Sequence, residues 1–236
     1  MDRDKSMMND NRVPKGFGGL FYGVYPALVT DVVDPDEQGR VKVQLPWSPD
    51  GKGDRYHVWA RLATLMAGNN QGSWFIPDVD EEVLIVFQGG NPSHPYVIGA
   101  LWNSQDLPPE SMDSNGKNNK KTIRSRSGIQ ITLDDSNEEE QIILKTPGGQ
   151  EVTLKDSPGR IEARDSNGNT VTMDSSGITV NASMNVTINA SYVDVTASML
   201  NVNAGISRFS GLVQADSMIT NSIVSASYSP GAGNIW

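Results

Sequence analysis

One segment of this 236-residue chain has the residue types and spacing of a calcium site. Residues 34–39 imitate the opening of a calcium-binding loop, with Asp34 and Asp36 at the first and third positions. The twelfth position is Leu45, where such a loop needs a bidentate glutamate. We therefore predict a plain turn between two strands at this place.

Two further groups of ionisable residues also predict no site. The acidic run 138–140 lies close to Asp134 and Asp135, but an acidic run in a polar turn is usually a solvated face. The two histidines, His57 and His94, have no neighbouring cysteine, histidine or suitably spaced carboxylate that would suggest zinc. No serine lies in a nucleophile-elbow pattern. We expect no catalytic residue, no metal site and no cofactor.

The charge balance argues against nucleic acid as a partner. The formal net charge is -9 and the pI is about 4.7, whereas binding to phosphate backbones depends on Lys and Arg that release counterions. Four tryptophans could form a stacking platform for bases or sugars in a small barrel: Trp47, Trp59, Trp74 and Trp102. No basic groove accompanies them, so we expect them in the core or at partner contacts.

The sequence carries no export or membrane signal. Residues 1–16 are polar and charged and lack the apolar stretch of a signal peptide. Nowhere do about 18 apolar residues follow one another, so no helix is expected to span a bilayer. Cysteine is absent, and the rigidity of the molecule must therefore come from packing rather than from disulfides.

Residues 21–103 are predicted to form a barrel of short strands. Residues 40–45 alternate polar and apolar side chains, as expected of a strand with one buried face. Further candidate strands lie between Gly, Pro and Asp clusters at 25–33, 58–63, 83–87 and 96–101. Five such strands fit a small closed barrel, most often an OB-fold. We predict an all-β protein that begins with a flexible arm over residues 1–20 and an OB-fold domain.

The pattern changes after residues 104–120, which contain Pro108-Pro109 and are predicted to be a linker. Turn signals then recur about every 8–12 residues, as in successive short strands. Pairs such as Ile161/Ala163 and Ile178/Val180 give each predicted strand one apolar and one polar face. These strands open the second domain, residues 121–236.

The end of the chain combines low charge with a repeating pattern. From Ser176 onward only three side chains are charged, namely Asp194, Arg208 and Asp216. Apolar residues keep a period of two but shift phase after Ala190 and again after Ala197, which indicates strands joined at tight corners. A thin sheet with one apolar face and no helix to cover it cannot close a core alone. Further chains of the same kind are the expected cover.

The first domain also carries a recognisable series of motifs. Residues 32–43 contain Val-Val-Asp-Pro and Gly-Arg-Val-Lys-Val and are followed by Pro46 and Trp47. This series resembles the start of the OB domain in the phage baseplate assembly protein V and VgrG-type spike family. The rest of the barrel agrees with the family at 59–61, 72–77, 80–87 and 89–101. The C-terminal part resembles the family's triple-stranded β-helix by its pattern.

The resemblance implies a homotrimer assembled in the bacterial cytoplasm as part of a phage tail baseplate or injection particle. Its barrels are expected to sit on a baseplate hub protein, and its intertwined β-helix or β-prism needle to meet the target cell envelope mechanically. VgrG-type chains carry a hub-like region before the OB domain, and only about 20 residues precede it here, so a separate hub protein is expected. Residues 104–120 are too short for a lysozyme domain, so no lytic activity is expected.

The resemblance also places the predicted sites. The residues expected to face the three-fold axis are Ile178, Val180, Val186, Ile188, Val195 and Val202. No histidine follows His94, so the histidine-held metal that closes some relatives is not expected. A separate PAAR-like tip protein is expected to bind at Asn234, Ile235 and Trp236. The alternatives are an OB-fold and β-solenoid tail protein that binds carbohydrate or a receptor, and an enzyme such as a peptidoglycan hydrolase.

Overall fold

A computed structural model describes residues 17–50 and 52–227, and in this part of the chain all regular structure apart from two short 3-10 helices is β. The 3-10 helices are Phe17–Gly19 and Gln88–Gly90. The chain divides into two compact units, residues 1–185 and 186–236. Most of the predicted arm, residues 1–20, and the predicted tip contact lie outside the described residues.

A closed barrel forms the first part of the first unit. Its strands are β1 (Val24–Asp31), β2 (Val41–Pro49), β3 (Arg55–Leu62), β6 (Glu82–Phe87) and β7 (Pro95–Ala100). They pair in the order β1-β2-β3-β7-β6, antiparallel except for β3 with β7. The five strands predicted from the sequence are confirmed, with ends that differ by at most four residues.

Alternation along the strands builds the barrel core. In β2 the side chains of Val41, Val43 and Leu45 are fully buried, while Lys42 and Gln44 between them remain partly exposed. Val29, Val83 and Ile85 from the neighbouring strands complete the same interior. Because successive side chains of a strand point to opposite faces, the polar and apolar alternation seen in the sequence closes one apolar core.

A small hairpin on the barrel was not predicted. It pairs β4 (Ala67–Gly68) with β5 (Gln71–Gly72). A Cβ at Gly72 would lie 2.6 Å from the carbonyl oxygen of Met66, so only glycine allows this close approach of two backbones. Strands of two residues leave no alternation to detect, and for this reason the sequence pattern gave no signal.

A seven-stranded antiparallel sheet forms the second part of the first unit. Each strand has five residues: β8 (Lys120–Arg124), β9 (Gln130–Asp134), β10 (Gln141–Lys145), β11 (Glu151–Lys155), β12 (Arg160–Arg164), β13 (Thr170–Asp174) and β14 (Gly177–Asn181). The strands follow one another in sequence order across the sheet. Each strand therefore pairs with its neighbours in the chain, and the prediction of successive short strands is confirmed.

The second unit has a different organisation. In its described part, residues 186–227, no residue is assigned to a strand and every residue is exposed. The backbone bends sharply at Ser191 and Ser198. These bends coincide with the phase shifts of the apolar pattern, at the positions predicted for corners. The strands predicted between the corners do not occur in the described residues 186–227.

Candidate functional site

The register of the seven-stranded sheet collects its apolar side chains on one face. Leu133 pairs with Ile142, which pairs with Leu154 on the next strand. The same register continues to the last strand and produces two parallel rows. One row contains Leu133, Ile142, Leu154, Ile161, Met173 and Ile178, and the other contains Ile123, Ile131, Leu144, Val152, Ala163, Val171 and Val180.

This apolar face has no cover within the described chain. Eleven of its thirteen side chains keep between 37% and 71% of their surface exposed. Cross-strand neighbours on one face lie about 5 Å apart, so the two rows form one continuous apolar surface. Contiguous apolar patches of this kind mark sites of protein association, and we identify this face as the candidate functional site.

The opposite face of the sheet is polar and satisfies itself. Its central row is mostly threonine: Thr122, Thr132, Ile143, Thr153, Glu162, Thr172 and Thr179. Beside this row, Glu151 lies 2.8 Å from Arg164 and 3.9 Å from Lys145. This polar face is nevertheless the more buried one, because Thr132 and Thr172 are only 5% and 9% exposed. Its groups bond to one another, as where Gln130 Nε2 donates to Thr132 Oγ1 at 2.8 Å. The two faces therefore differ in polarity, and the exposed apolar side chains lie on the other face.

The predicted trimer core falls in two places. Ile178 and Val180 lie on β14, within the two apolar rows. The other four predicted residues lie in the second unit, where they retain 63% to 73% exposure: Val186, Ile188, Val195 and Val202. The orientation of all six toward a three-fold axis stays a prediction. The predicted tip residues Asn234, Ile235 and Trp236 lie outside the described residues.

The turn that imitates a calcium loop is held by an arginine. Arg40 donates from Nη2 to Asp34 Oδ1 at 2.6 Å and from Nε at 3.0 Å. The same carboxylate accepts backbone N–H groups of Asp36, Gln38 and Arg40 at 2.8–3.1 Å. The Asp34 side chain is 5% exposed, and both its oxygens are engaged. The segment is thus a turn between β1 and β2 in which Arg40 and backbone N–H groups occupy the Asp34 carboxylate.

These contacts make Asp34 a pH-dependent element of the barrel. The Arg40 guanidinium, followed by the backbone donors, holds the pKa of Asp34 well below its usual range. Because the folded-state pKa is depressed, the stabilisation is complete above the unfolded pKa of about 3.9 and is lost as the pH falls toward the folded value.

Replacement of Asp34 by Asn should therefore lower the melting temperature of the protein at neutral pH. The difference from wild type should shrink as the pH is lowered below about 4. Asp36→Asn is the matched control, because Asp36 contacts Arg40 from a side chain that is 56% exposed and should matter less. Equal losses for the two variants in thermal melts, or a difference that does not change with pH, would contradict this assignment.

The remaining candidates from the sequence have structural surroundings. His57 contacts Gln44, with 3.1 Å between their Nε2 atoms, and burial followed by the charge of Lys42 lowers the pKa of His57. His94 donates its backbone N–H to the carbonyl oxygen of Asn91 at 3.0 Å. Within the residues that the structure describes, no group of three or more His, Asp or Glu is arranged to hold a metal ion.

The four tryptophans do not share one platform. The ring of Trp47 stacks on Tyr25 with 4.8 Å between centroids, and Arg40 lies over Trp59 at 5.7 Å. The two exposed rings are Trp74 (76%) and Trp102 (70%). Trp47 and Trp59 are thus engaged within the barrel.

The described part of the chain also contains no helix long and apolar enough to cross a membrane.

Comparisons with known proteins match two regions of the chain. Residues 25–102 match the type VI secretion system/phage-baseplate injector OB domain. Residues 141–206 match the phage baseplate V C-terminal trimerisation domain. The chain belongs to the phage baseplate V and VgrG-type spike family. The trimerisation domain supports a homotrimer.

Curated relatives resemble part of the chain. The spike protein VgrG4b of Pseudomonas aeruginosa is 33% identical over 131 residues, which is 52% of this chain and 16% of the relative. VgrG1b of the same organism is 28% identical over 127 residues, 51% of this chain and 17% of the relative. The actin cross-linking toxin VgrG1 of Vibrio cholerae is 28% identical over 128 residues, 50% of this chain and 12% of the toxin. The chain thus matches less than a fifth of each relative's length.

Proposed function

We propose that this protein is the central spike of a contractile tail or injection-system baseplate, and that its role is structural. The observation that carries the proposal is the uncovered apolar face of the sheet β8–β14. Three copies that turn these faces toward one another would enclose thirteen apolar side chains per chain. At about 25 cal/mol per Å² of apolar surface removed from water, such burial strongly favours a trimer.

The location of the face supports this assignment. Strands β10–β14 lie within the matched trimerisation domain, residues 141–206. The apolar rows extend further toward the N-terminus, because Ile123 and Ile131 continue them on β8 and β9. We infer that the contact between copies begins at β8 and includes the whole sheet.

The second unit supports an intertwined needle. Its described residues 188–227 belong to no strand of their own chain, and backbone N–H and C=O groups that become shielded from water need hydrogen-bond partners. Neighbouring copies can supply these partners if the three chains wind around one another. Chains joined in this way must unfold to separate, so the trimer should be kinetically stable.

In this arrangement each region of the chain has its own role. We assign residues 1–20 to an arm, 21–103 to the barrel, 104–120 to a linker and 121–236 to the spike. The barrel end attaches to a baseplate hub protein, and the needle meets the target envelope mechanically. A PAAR-like tip protein binds at Asn234, Ile235 and Trp236, whose uncharged side chains suit apolar contact and backbone pairing with a partner.

The proposal is tested by the mass of the assembly and by capture of a tip protein. The full chain should be a trimer of about 77 kDa, three times the 25.6 kDa chain, in light scattering. A variant without residues 229–236 should remain a trimer but lose a co-expressed PAAR-like protein in a pull-down. A stable folded monomer at micromolar concentration would overturn the spike itself. Retention of the PAAR-like protein by the truncated trimer would overturn only the location of the tip contact.

A further inference from the structure

The spacing of backbone bends changes within the second unit. The first bends fall at Ser191, Ser198 and Gly205, which are seven residues apart. After a double bend at Ser210 and Gly211, the following bends fall at Asp216, Asn221 and Ala226, which are five residues apart. The described part of this unit therefore contains two repeats of different length.

The amino-acid sequence follows the seven-residue repeat in its first part. Each repeat ends in alanine and a small residue: Ala190-Ser191, Ala197-Ser198 and Ala204-Gly205. The second and fourth positions are aliphatic, as in Val193 and Val195, and the third position between them is polar, as in Asp194. Because alternate residues of a strand share a face, the second, fourth and sixth residues of each seven-residue repeat point in the same direction. Each such repeat forms one side of the proposed needle.

The five-residue repeat has its own pattern, in 212–216, 217–221 and 222–226. Its second positions are apolar and partly shielded: Val213 (51% exposed), Met218 (66%) and Ile223 (60%). The third positions of the last two repeats, Ile219 and Val224, are 100% and 99% exposed. In the last two short repeats the second position is therefore less exposed than the third, as expected if the second position points inward.

A continued seven-residue repeat does not fit this part of the chain. Its second and fourth positions would fall at Gln214 and Asp216, seven residues after Ser207 and Phe209. The second position of the repeat after that would be Asn221. Two amides and one carboxylate would then face the interior, which is costly without partners. The five-residue repeat places the apolar side chain of Val213 there instead.

We infer that the spike changes cross-section between Gly205, where the last seven-residue spacing ends, and Gly211, where the regular five-residue spacing begins, from three sides of seven residues to three sides of five. This inference rests on the trimeric needle proposed above. With a rise of about 3.3 Å per residue in a strand, each side becomes shorter by roughly 6–7 Å. The wider section has three inward positions on each side, and the narrower section has two. The narrower section leads toward the C-terminal end of the described chain.

Cysteine accessibility can locate the change, because the natural chain contains no cysteine. Val213→Cys and Gln214→Cys are the diagnostic pair, and Val193→Cys and Asp194→Cys are the matched pair in the seven-residue section. Each variant is first confirmed as a trimer by light scattering and then treated with a maleimide, before and after denaturation. Thiols that face the needle axis should react at least roughly tenfold more slowly in the folded trimer, because buried cysteines are inert.

The expected result is protection of Val213→Cys and Val193→Cys, with rapid labelling of Gln214→Cys and Asp194→Cys. Protection of Gln214→Cys together with labelling of Val213→Cys would show an unbroken seven-residue repeat and overturn the inference. Labelling of both Val193→Cys and Val213→Cys in an intact trimer would instead overturn the inward orientation on which the needle is built. The two failures are thus distinguishable.

Discussion

Leu144→Thr should prevent stable association of the three chains, whereas Ile143→Thr should leave the trimer intact. The two residues are neighbours on β10 and point to opposite faces of the sheet. Leu144 lies in an apolar row, between Ile131 and Val152. Ile143 lies in the threonine row, between Thr132 and Thr153. The same change, to a β-branched residue that keeps strand propensity, therefore tests the two faces of one strand.

The expected difference is large because the change is present three times. Truncation of a buried leucine costs about 2–5 kcal/mol, and so about 6–15 kcal/mol per trimer. The hydroxyl introduced at position 144 would also be buried without an assured partner. At position 143 threonine completes a row of threonines and should cost about 1 kcal/mol or less. Light scattering over a dilution series measures the outcome, and equal behaviour of the two variants would show that the apolar face is not the contact between copies.

The sequence allowed the barrel to be predicted nearly strand by strand. Runs such as 40–45 alternate cleanly, and Gly, Pro and Asp clusters mark where each strand ends. The network around Asp34 was not predicted, because a carboxylate six residues before an arginine does not by itself specify a turn that brings the two together. The β4–β5 hairpin was missed because it depends on a backbone contact at Gly72 rather than on side-chain pattern.

The apolar face of the sheet was only partly predicted. The alternation within single strands, such as Ile161/Ala163, was visible in the sequence. The predicted trimer core nevertheless took only Ile178 and Val180 from this sheet, since it was drawn from the low-charge end of the chain. The other members became evident from the register between strands, which depends on turn geometry. Charged neighbours such as Glu151 and Arg164 concealed the face in the linear sequence.

The needle shows a different limit of prediction from sequence. Its corners were predicted, because phase shifts in the apolar pattern are local. The change from seven to five residues between Gly205 and Gly211 was not predicted, because the short repeats 212–216 and 217–221 share few residue types. Repeat length there is recognisable only from the regular bends of the backbone.

Val186→Asp should abolish formation of the trimer, and Thr187→Asp should be tolerated. Val186 occupies the second position of a seven-residue repeat, which is expected to face the axis, so the change would place three carboxylates in a dry interior. Each buried charge costs several kcal/mol even after relaxation. Thr187 occupies the third position, and the natural chain already carries a carboxylate at the equivalent place in the next repeat, Asp194.

The yield of trimer, measured by light scattering after purification at neutral pH, is the readout for both variants. Equal tolerance of the two changes would show that the register of the needle is wrong.

A comparison with Leu144→Thr then separates the contributions of the sheet and the needle to trimer stability. If the needle alone held the chains together, Leu144→Thr would leave a trimer and Val186→Asp would not. Loss of the trimer in both variants is expected, because an unfavourable charge in the needle and a defect in the apolar sheet face each oppose the same association of three chains.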